Sequence, residues 1–255
     1  MAGGTRSDRL RFGTVVVIGG GCYGSQYVRQ LVRAREAGQA TWDRLVAVDH
    51  DPACALAEAH RAGWPEAVGL DVAGWAPFLE RFLGAAAADP ARHAADAIVP
   101  SPLMPHLLFD WLLARARTRG GGVAVETPAE VAGVPWQREG RDATRYVSHA
   151  TWTCPVNCIE PATCPHTRGP RDWSMPETLA RALGPDVALA ALRVTHRTYG
   201  VGMVDVADVL AADALIAATA VRGGAVAVAT ASHCHGAVGL VRLSPVPPPS
   251  ATGEI

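Results

Sequence analysis

Residues 14–30 read TVVVIGGGCYGSQYVRQ, an apolar run that breaks into glycines and then continues as an amphipathic segment. The run Val15–Ile18 is β-branched throughout, which is typical of a strand buried on both faces of a sheet. Gly19, Gly21 and Gly24 follow it with the spacing G-x-G-x-x-G. Because this spacing comes directly after a predicted strand and opens a predicted helix, it predicts a phosphate-binding turn.

Each glycine has its own physical role in such a turn. Gly19 permits the tight turn, Gly21 lets the backbone approach a pyrophosphate, and Gly24 lets the helix pack close to the sheet. The N–H groups at the start of that helix attract phosphates. The next predicted strand, Leu45–Val48, ends in Asp49, whose carboxylate can accept hydrogen bonds from both hydroxyls of a ribose.

These features resemble those of the Rossmann-type NAD(P)-binding proteins over roughly residues 13–126. The resemblance implies an α/β fold with a doubly wound parallel sheet and a bound NAD or NADP. Asp49 favours NAD, because its charge would repel the 2′-phosphate of NADP. The residues expected to contact the cofactor are Gly19, Gly21, Cys22, Tyr23, Gly24, Asp49, Pro100 and Ser101.

Two other interpretations of the glycine turn stay open. S-adenosylmethionine-dependent methyltransferases have a similar strand, glycine loop and acidic residue. Their loop resembles G-x-G-x-G, whereas Tyr23 stands at the last glycine position here, and residues 14–18 contain no acidic side chain. The turn can also be purely structural and bind nothing.

The composition excludes several classes of protein. The chain has 255 residues, 49% of them hydrophobic, and a net charge of −1, so it can bury a full core. Without a basic cluster, nucleic acid is not an expected partner. The chain contains no lysine, which excludes P-loop and Schiff-base chemistry, since both need a lysine amine.

The sequence also predicts where the protein works and what it meets. Its first residues lack the apolar segment of a signal peptide, and no apolar run is long enough to span a membrane. We therefore expect a cytoplasmic protein without membrane contact. The expected partners are a small-molecule substrate or a redox partner protein, with a homo-oligomer as an open alternative.

The patterns predict a Rossmann-like part over residues 1–130, a smaller α+β part over residues 131–243 and a flexible tail over residues 244–255. The strand 97–99 ends in Pro100 and Ser101, which should lie beside the first strand and border the nicotinamide half of the cofactor.

Several further elements are expected. They are a strand over 123–125, a helix near 176–183, a single strand over 187–197, a turn over 199–202 that directly precedes a helix over 204–221 and can bind anions, and two strands over 225–231 and 237–241.

The irregular segment 148–174 is rich in cysteine and proline. Cys154, Cys158 and Cys164 are close enough along the chain to share one site, and Cys234 is the expected fourth ligand of an iron–sulfur cluster or a zinc ion. His166, His233 and His235 compete with Cys234 for that fourth position. A redox-active thiol pair and ordinary structural thiols are the open alternatives. Cys22 and Cys54 are expected to be small buried residues.

His149 and His196 are the candidates for proton transfer. His106 is expected to be a surface or helix-start histidine. Glu126 is expected to end its strand, either at a ligand or in an ordinary turn. Arg168 and Arg171 are expected to be able to clamp a carboxylate.

The leading hypothesis is an NAD(P)-linked oxidoreductase with a cysteine-ligated metal site. The alternatives are a nucleotide-binding sensor or accessory protein without turnover, and a methyltransferase that uses S-adenosylmethionine.

Overall fold

The computed structural model describes residues 9–61, 68–140, 142–155 and 158–245. The chain folds into two compact units, and each unit consists of several separate segments of the sequence. Unit 1 comprises residues 1–107, 154–171 and 193–210, and unit 2 comprises residues 108–153, 172–192 and 211–255.

Helices and strands alternate along the first half of the chain, as predicted. In order, the elements are β1 (Leu10–Ile18), α1 (Cys22–Glu36), β2 (Ala40–Asp49), α2 (Ala55–Arg61), β3 (Val68–Val72), α3 (Trp75–Ala88), β4 (Ala97–Val99), α4 (Leu107–Thr118), β5 (Gly122–Glu126), β6 (Trp136–Glu139), β7 (Arg145–Ser148), α5 (Met175–Ala182), β8 (Val187–Arg193), β9 (Thr195–Thr198), β10 (Val201–Asp205), α6 (Val206–Arg222), β11 (Gly224–Ala231) and β12 (His235–Ser244).

The sheet of unit 1 has the strand order β3-β2-β1-β4-β10-β9. Strands β1 to β4 are parallel to their neighbours, whereas β10 pairs antiparallel with both β4 and β9. The predicted α/β class is confirmed. The sheet is mixed, however, and a sheet that is parallel throughout is not observed.

Burial explains why β1 forms the centre of this sheet. Val15, Val16 and Val17 are completely buried, and Ile18 is 3% exposed. Consecutive residues of a strand point to opposite faces, so both faces of β1 are covered. The core around β1 includes Leu31 of α1, Leu45 of β2 and Leu56 of α2. The uninterrupted β-branched run therefore predicted its environment correctly.

The strand expected over residues 187–197 is two strands in two sheets. The chain passes from one sheet to the other at Val194, which lies between β8 and β9. Strand propensity is local and carries no signal for a change of sheet.

The anion-binding turn expected over residues 199–202 is also wrong. Only Tyr199 and Gly200 form the connection, with φ values of 46° and 79°. Positive φ at both central residues is typical of a type I′ hairpin. Val201 already belongs to β10, so five strand residues separate the turn from the start of α6.

Unit 2 is organised on a second sheet, with the order β6-β7-β12-β11-β8 and β5 paired to β12. β12 is long enough to have two partners on one side: its first residues pair with β7 and its last with β5, antiparallel in both cases. The strand over 123–125 therefore exists, but it lies in the second sheet and does not extend the sheet that carries the glycine turn. Met175, Leu179, Val238 and Ala227 are among the core residues of this unit.

Within the described ranges, no helix has the combination of length and hydropathy that crossing a bilayer demands.

Candidate functional site

The glycine loop, residues 19–24, connects β1 to α1 in unit 1. Gly19 has a φ of +94°, a conformation that side chains disfavour. A Cβ on Gly24 would overlap the carbonyl oxygen of Gly19, so α1 begins in direct contact with the loop. A Cβ on Gly21 would meet no atom within 4 Å. Two glycines thus shape the loop, and the third leaves open space above the backbone.

Asp49 stabilises this loop from the end of β2. Its Oδ2 accepts a hydrogen bond of 2.6 Å from the Gly20 N–H, and its Oδ1 accepts one of 2.9 Å from the Asp51 N–H. The side chain is 11% exposed, so these backbone contacts replace most of its hydration. A carboxylate has about four lone-pair sites. The His50 Nδ1 also lies 3.4 Å from Oδ1.

Gly20 has to be a glycine because two side chains press against it. A Cβ there would lie 2.5 Å from the Cys54 sulfur and 3.2 Å from the Asp49 Cβ. Cys54 is 7% exposed, which confirms that it is a small buried residue. The sequence motif gave no reason for a glycine between Gly19 and Gly21, and the packing of Cys54 supplies one.

The start of α1 has no side-chain cap. Gly21 is the N-cap residue, no side chain bonds to the first turn, and the Ser25 N–H donates to the Gly21 carbonyl at 2.9 Å. The N–H groups of Cys22, Tyr23 and Gly24 precede that bond and have no acceptor inside the helix. Cys22 is exposed, contrary to the prediction that it is buried, and Tyr23 is 39% exposed.

Pro100 and Ser101 follow β4, which pairs parallel with β1 from Val15 to Val17. The prediction that this strand lies beside the first is confirmed. Ser101 is 6% exposed, and its Oγ accepts a hydrogen bond of 3.3 Å from the Leu103 N–H. The ends of β1, β2 and β4 therefore bring all the predicted cofactor residues to one edge of the sheet.

The cysteine loop, residues 154–171, also belongs to unit 1, whereas Cys234 belongs to unit 2. None of the six cysteines forms a disulfide. In the part of the chain that the structure describes, no three Cys, His, Asp or Glu side chains are close enough together to bind one metal ion. The side chains as placed do not form a ligand set. The cysteine-ligated metal centre stays a prediction.

Cys164 is the best supported thiolate of this loop. Backbone N–H groups of Thr167 and His166 donate to its sulfur, as do the side chains of Thr167 and Arg171, and together they lower the pKa of the thiol to about 7 although it is buried. The Arg171 guanidinium also donates to the Pro161 carbonyl at 2.7 Å. Arg171 therefore stabilises the loop itself, whereas Arg168 is exposed.

We expect Cys164 to ionise near neutral pH. Its pKa is lowered on folding, so this group stabilises the folded protein above the ordinary thiol pKa of 9.0, and the contribution is lost as the pH falls through about 7. The measurement is thiolate absorbance against pH, with Cys164→Ser subtracted from the wild type. Arg171→Gln should move the transition to higher pH. A difference curve centred near the ordinary thiol pKa in the wild type would contradict the prediction.

His196 lies on β9 and faces the cysteine loop. Its Nδ1 is 3.6 Å from Oε2 of Glu160, whose side chain is only 6% exposed. Spacing in the sequence could not reveal that this carboxylate lies beside the imidazole.

His149 lines a cleft of about 470 Å³ in unit 2, here called the histidine cleft. Asp172, Trp173, Thr178 and Arg181 line it as well, with the small residues Ala132, Gly133 and Ala182 completing the wall. Burial lowers the pKa of His149, and the neighbouring His235 and Arg181 lower it further. The half-buried imidazole is therefore neutral at physiological pH and can accept a proton.

The wall of the histidine cleft is built from hydrogen bonds between distant segments. The His149 N–H donates to the Cys234 carbonyl at 2.9 Å, and the Trp173 indole donates to the Cys234 sulfur at 3.3 Å. The Met175 N–H donates to the His233 carbonyl at 2.9 Å. The turn at residues 232–235 thus supports the cleft.

Sequence reasoning did not single out Thr178 or Arg181. They stand three positions apart in α5, on one face of the helix, and the helix start is marked by Ser174 and Pro176. Arginine and threonine at this spacing are common on helix surfaces, and only the position of His149 beside them makes them notable.

His106 directly precedes α4, so it is the predicted helix-start histidine, and at 5% exposed it is not at the surface. Glu126 ends β5 and pairs with Arg242 of β12 at 2.7 Å. This carboxylate therefore has a partner on the neighbouring strand.

Comparisons with known proteins identify one family. The family model described as "AF_1314_C: Uncharacterized protein, C-terminal domain" matches residues 108–244. No curated protein and no solved structure matches the chain. The match includes the histidine cleft and leaves the glycine loop outside. Because it covers more than half of the 255 residues, the chain belongs to this AF_1314_C family.

Proposed function

We propose that unit 1 binds a dinucleotide, with NAD preferred to NADP, and that the chain is an NAD-linked oxidoreductase. The observation that carries the proposal is the glycine loop. Gly19 and Gly24 have the conformation and the close contact that a Rossmann-type loop needs, while the space at Gly21 is open. The parallel order β3-β2-β1-β4 also resembles the first half of a Rossmann sheet.

The chain's own groups would hold the cofactor in three ways. The uncapped N–H groups at the start of α1 would bind the pyrophosphate. Asp49 would accept hydrogen bonds from the ribose hydroxyls. Its negative charge favours NAD over NADP. NAD supplies hydride transfer when bound, so the protein's contribution is binding, orientation and polarity.

Gly21→Ala is expected to weaken NAD binding by about tenfold or more, a loss of about 1.4 kcal/mol, because the added methyl group fills the space that the pyrophosphate would use. The free energy of unfolding should change by no more than about 1 kcal/mol, since the position is an N-cap without neighbours. Titration calorimetry with NAD, NADP and S-adenosylmethionine measures the affinity, and chemical denaturation measures stability.

Gly84→Ala is the matched control. Gly84 lies inside α3 of unit 1, and a Cβ there would also meet no atom within 4 Å. Alanine is a better helix former than glycine by about 1 kcal/mol. Stability should hold or rise, and NAD affinity should not change. Wild-type protein that binds none of the three ligands would overturn the proposal, and binding of S-adenosylmethionine alone would replace it with a methyltransferase.

A further inference from the structure

The histidine cleft combines a neutral imidazole, a guanidinium and a hydroxyl. We propose that it binds the anionic group of a small molecule, a carboxylate or a phosphate, between Arg181 and Thr178, with His149 exchanging a proton with the bound molecule. This site lies in unit 2 and does not depend on nucleotide binding by unit 1.

Arg181 is available for an anion. It is exposed in the last turn of α5, and the ion pairs of the described residues do not include it. Its contact in the cleft is a hydrogen bond of 3.4 Å from the guanidinium to the Thr178 hydroxyl oxygen. A guanidinium has five N–H donors in a planar fork that matches carboxylate and phosphate oxygens. Most of these donors therefore remain for a ligand.

The hydrogen bonds form a chain from Arg181 to His149. Arg181 can only donate, so the Thr178 oxygen accepts from it, and the His149 Nε2 lies 3.3 Å from the same oxygen. A hydroxyl oxygen has two lone pairs, so it can also accept from Nε2 when His149 is protonated. In that state the Thr178 hydroxyl hydrogen is left to face a bound anion.

The charges around His149 favour an anion at the same place. Burial, His235 of β12 and Arg181 of α5 all lower the pKa of His149. Among the described residues that line the cleft, Asp172 is the one acidic residue, and it is exposed. The Trp173 ring lies 6.1 Å from the imidazole. A bound anion would offset the repulsion by the Arg181 guanidinium. It would thereby raise the pKa of His149.

Anion binding and protonation of His149 must therefore assist each other. Because the anion favours the protonated imidazole, it binds more tightly below the pKa of His149, and its affinity falls as the pH rises through the pKa of the bound form. By reciprocity, a saturating anion raises that pKa by the logarithm of the ratio of the two affinities. A tenfold ratio corresponds to about one pKa unit.

The test is a proton NMR titration of the His149 ring in the full chain, with its signal assigned from a His149→Gln variant. Sulfate represents the phosphate class because its charge does not change near neutral pH, acetate represents the carboxylate class, and chloride at equal ionic strength is the control. We expect sulfate or acetate to raise the pKa of His149 by about half a unit or more relative to chloride. The anion that acts identifies the ligand class.

Three variants separate the cleft from general ionic effects. Arg181→Gln should abolish the anion-induced shift, whereas Arg222→Gln, which removes an exposed arginine from the last turn of α6 in the same unit, should leave it intact. Thr178→Val should weaken the shift, and Thr178→Ser should restore it, since serine keeps the hydroxyl. Because Thr178 is 8% exposed, near-ultraviolet circular dichroism of each variant verifies that unit 2 is folded.

A shift equal to that in chloride, or one that persists in Arg181→Gln, would overturn the proposal. If Arg181→Gln fails to fold, the Thr178→Val and Thr178→Ser pair decides the question by itself. NAD affinity, measured in the same variants, is expected to be unchanged. Failure of the anion site and failure of nucleotide binding are therefore distinguishable.

Discussion

Replacing Gly24 by alanine is expected to lower the free energy of unfolding by about 3 kcal/mol and to abolish NAD binding. Alanine favours a helix over glycine by about 1 kcal/mol. The added Cβ, however, would overlap the Gly19 carbonyl oxygen, a backbone atom that cannot rotate away. Overpacking of a tightly packed site costs about 1–3 kcal/mol, with larger losses where backbone must move. The steric loss therefore exceeds the helical gain.

The three glycine variants form one experiment. Gly24→Ala should lower both the free energy of unfolding and the NAD affinity. Gly21→Ala should lower the NAD affinity alone, and Gly84→Ala should lower neither. Urea unfolding followed by circular dichroism measures the stability of each variant. If the two units unfold in separate transitions, each transition is fitted by itself. A Gly24→Ala protein as stable as the wild type would show that α1 can move away from the loop, and the close contact would then not be a requirement of the fold.

The glycine loop was predictable because its requirements are local. A buried strand, a turn with positive φ and an approaching helix follow one another within residues 15–31, so the sequence pattern and the structure refer to the same few contacts. The additional role of Asp49 as a clamp on Gly20 was not predictable. It depends on the register of β1 against β2, which places residue 49 beside the loop.

The partners of the later strands were not predictable, because strand patterns are local and strand pairing is not. The short apolar β5 and the short polar β9, which reads THRT, both lack a pattern that identifies the sheet they belong to. β5 pairs with β12, more than a hundred residues away along the chain, and β9 forms a hairpin with β10. The resemblance to a Rossmann sheet was expected to extend to residue 126, the end of β5. It ends one strand earlier, at β4.

The cysteine pattern shows a related limit. Spacing along the chain brings Cys154, Cys158 and Cys164 near one another, yet it cannot determine whether three sulfurs converge on one point. For Cys164 the groups that lower the pKa are the backbone N–H groups of Thr167 and His166 and the side chains of Thr167 and Arg171. The histidine cleft is the converse case: the sequence singled out His149 but not Arg181, and the fold of unit 2 brought the two side chains to one cleft.

Asp213→Ala is expected to lower the free energy of unfolding of unit 2 by about 2–3 kcal/mol. Asp213 of α6 is 8% exposed at its side chain, and its Oδ2 accepts from Arg115 at 3.0 Å and from Arg119 at 2.6 Å. Removing one partner of a buried ion pair costs about 3–5 kcal/mol, because the remaining charge loses both partner and water. The arginines are 29% and 27% exposed and can recover part of their hydration, which places the expected loss below that range.

Glu126→Ala provides the control. It also removes the carboxylate of a carboxylate–arginine ion pair, but that pair is exposed, whereas Asp213 is buried. Glu126 and Arg242 of unit 2 are 2.7 Å apart, and their side chains are 43% and 56% exposed. An exposed pair of this kind contributes about 0–1 kcal/mol and is screened by salt. Urea unfolding at low and high salt should therefore show a small, salt-dependent loss for Glu126→Ala and a larger, salt-resistant loss for Asp213→Ala. Equal losses in the two variants would mean that burial of Asp213 adds nothing to the tie between α4 and α6.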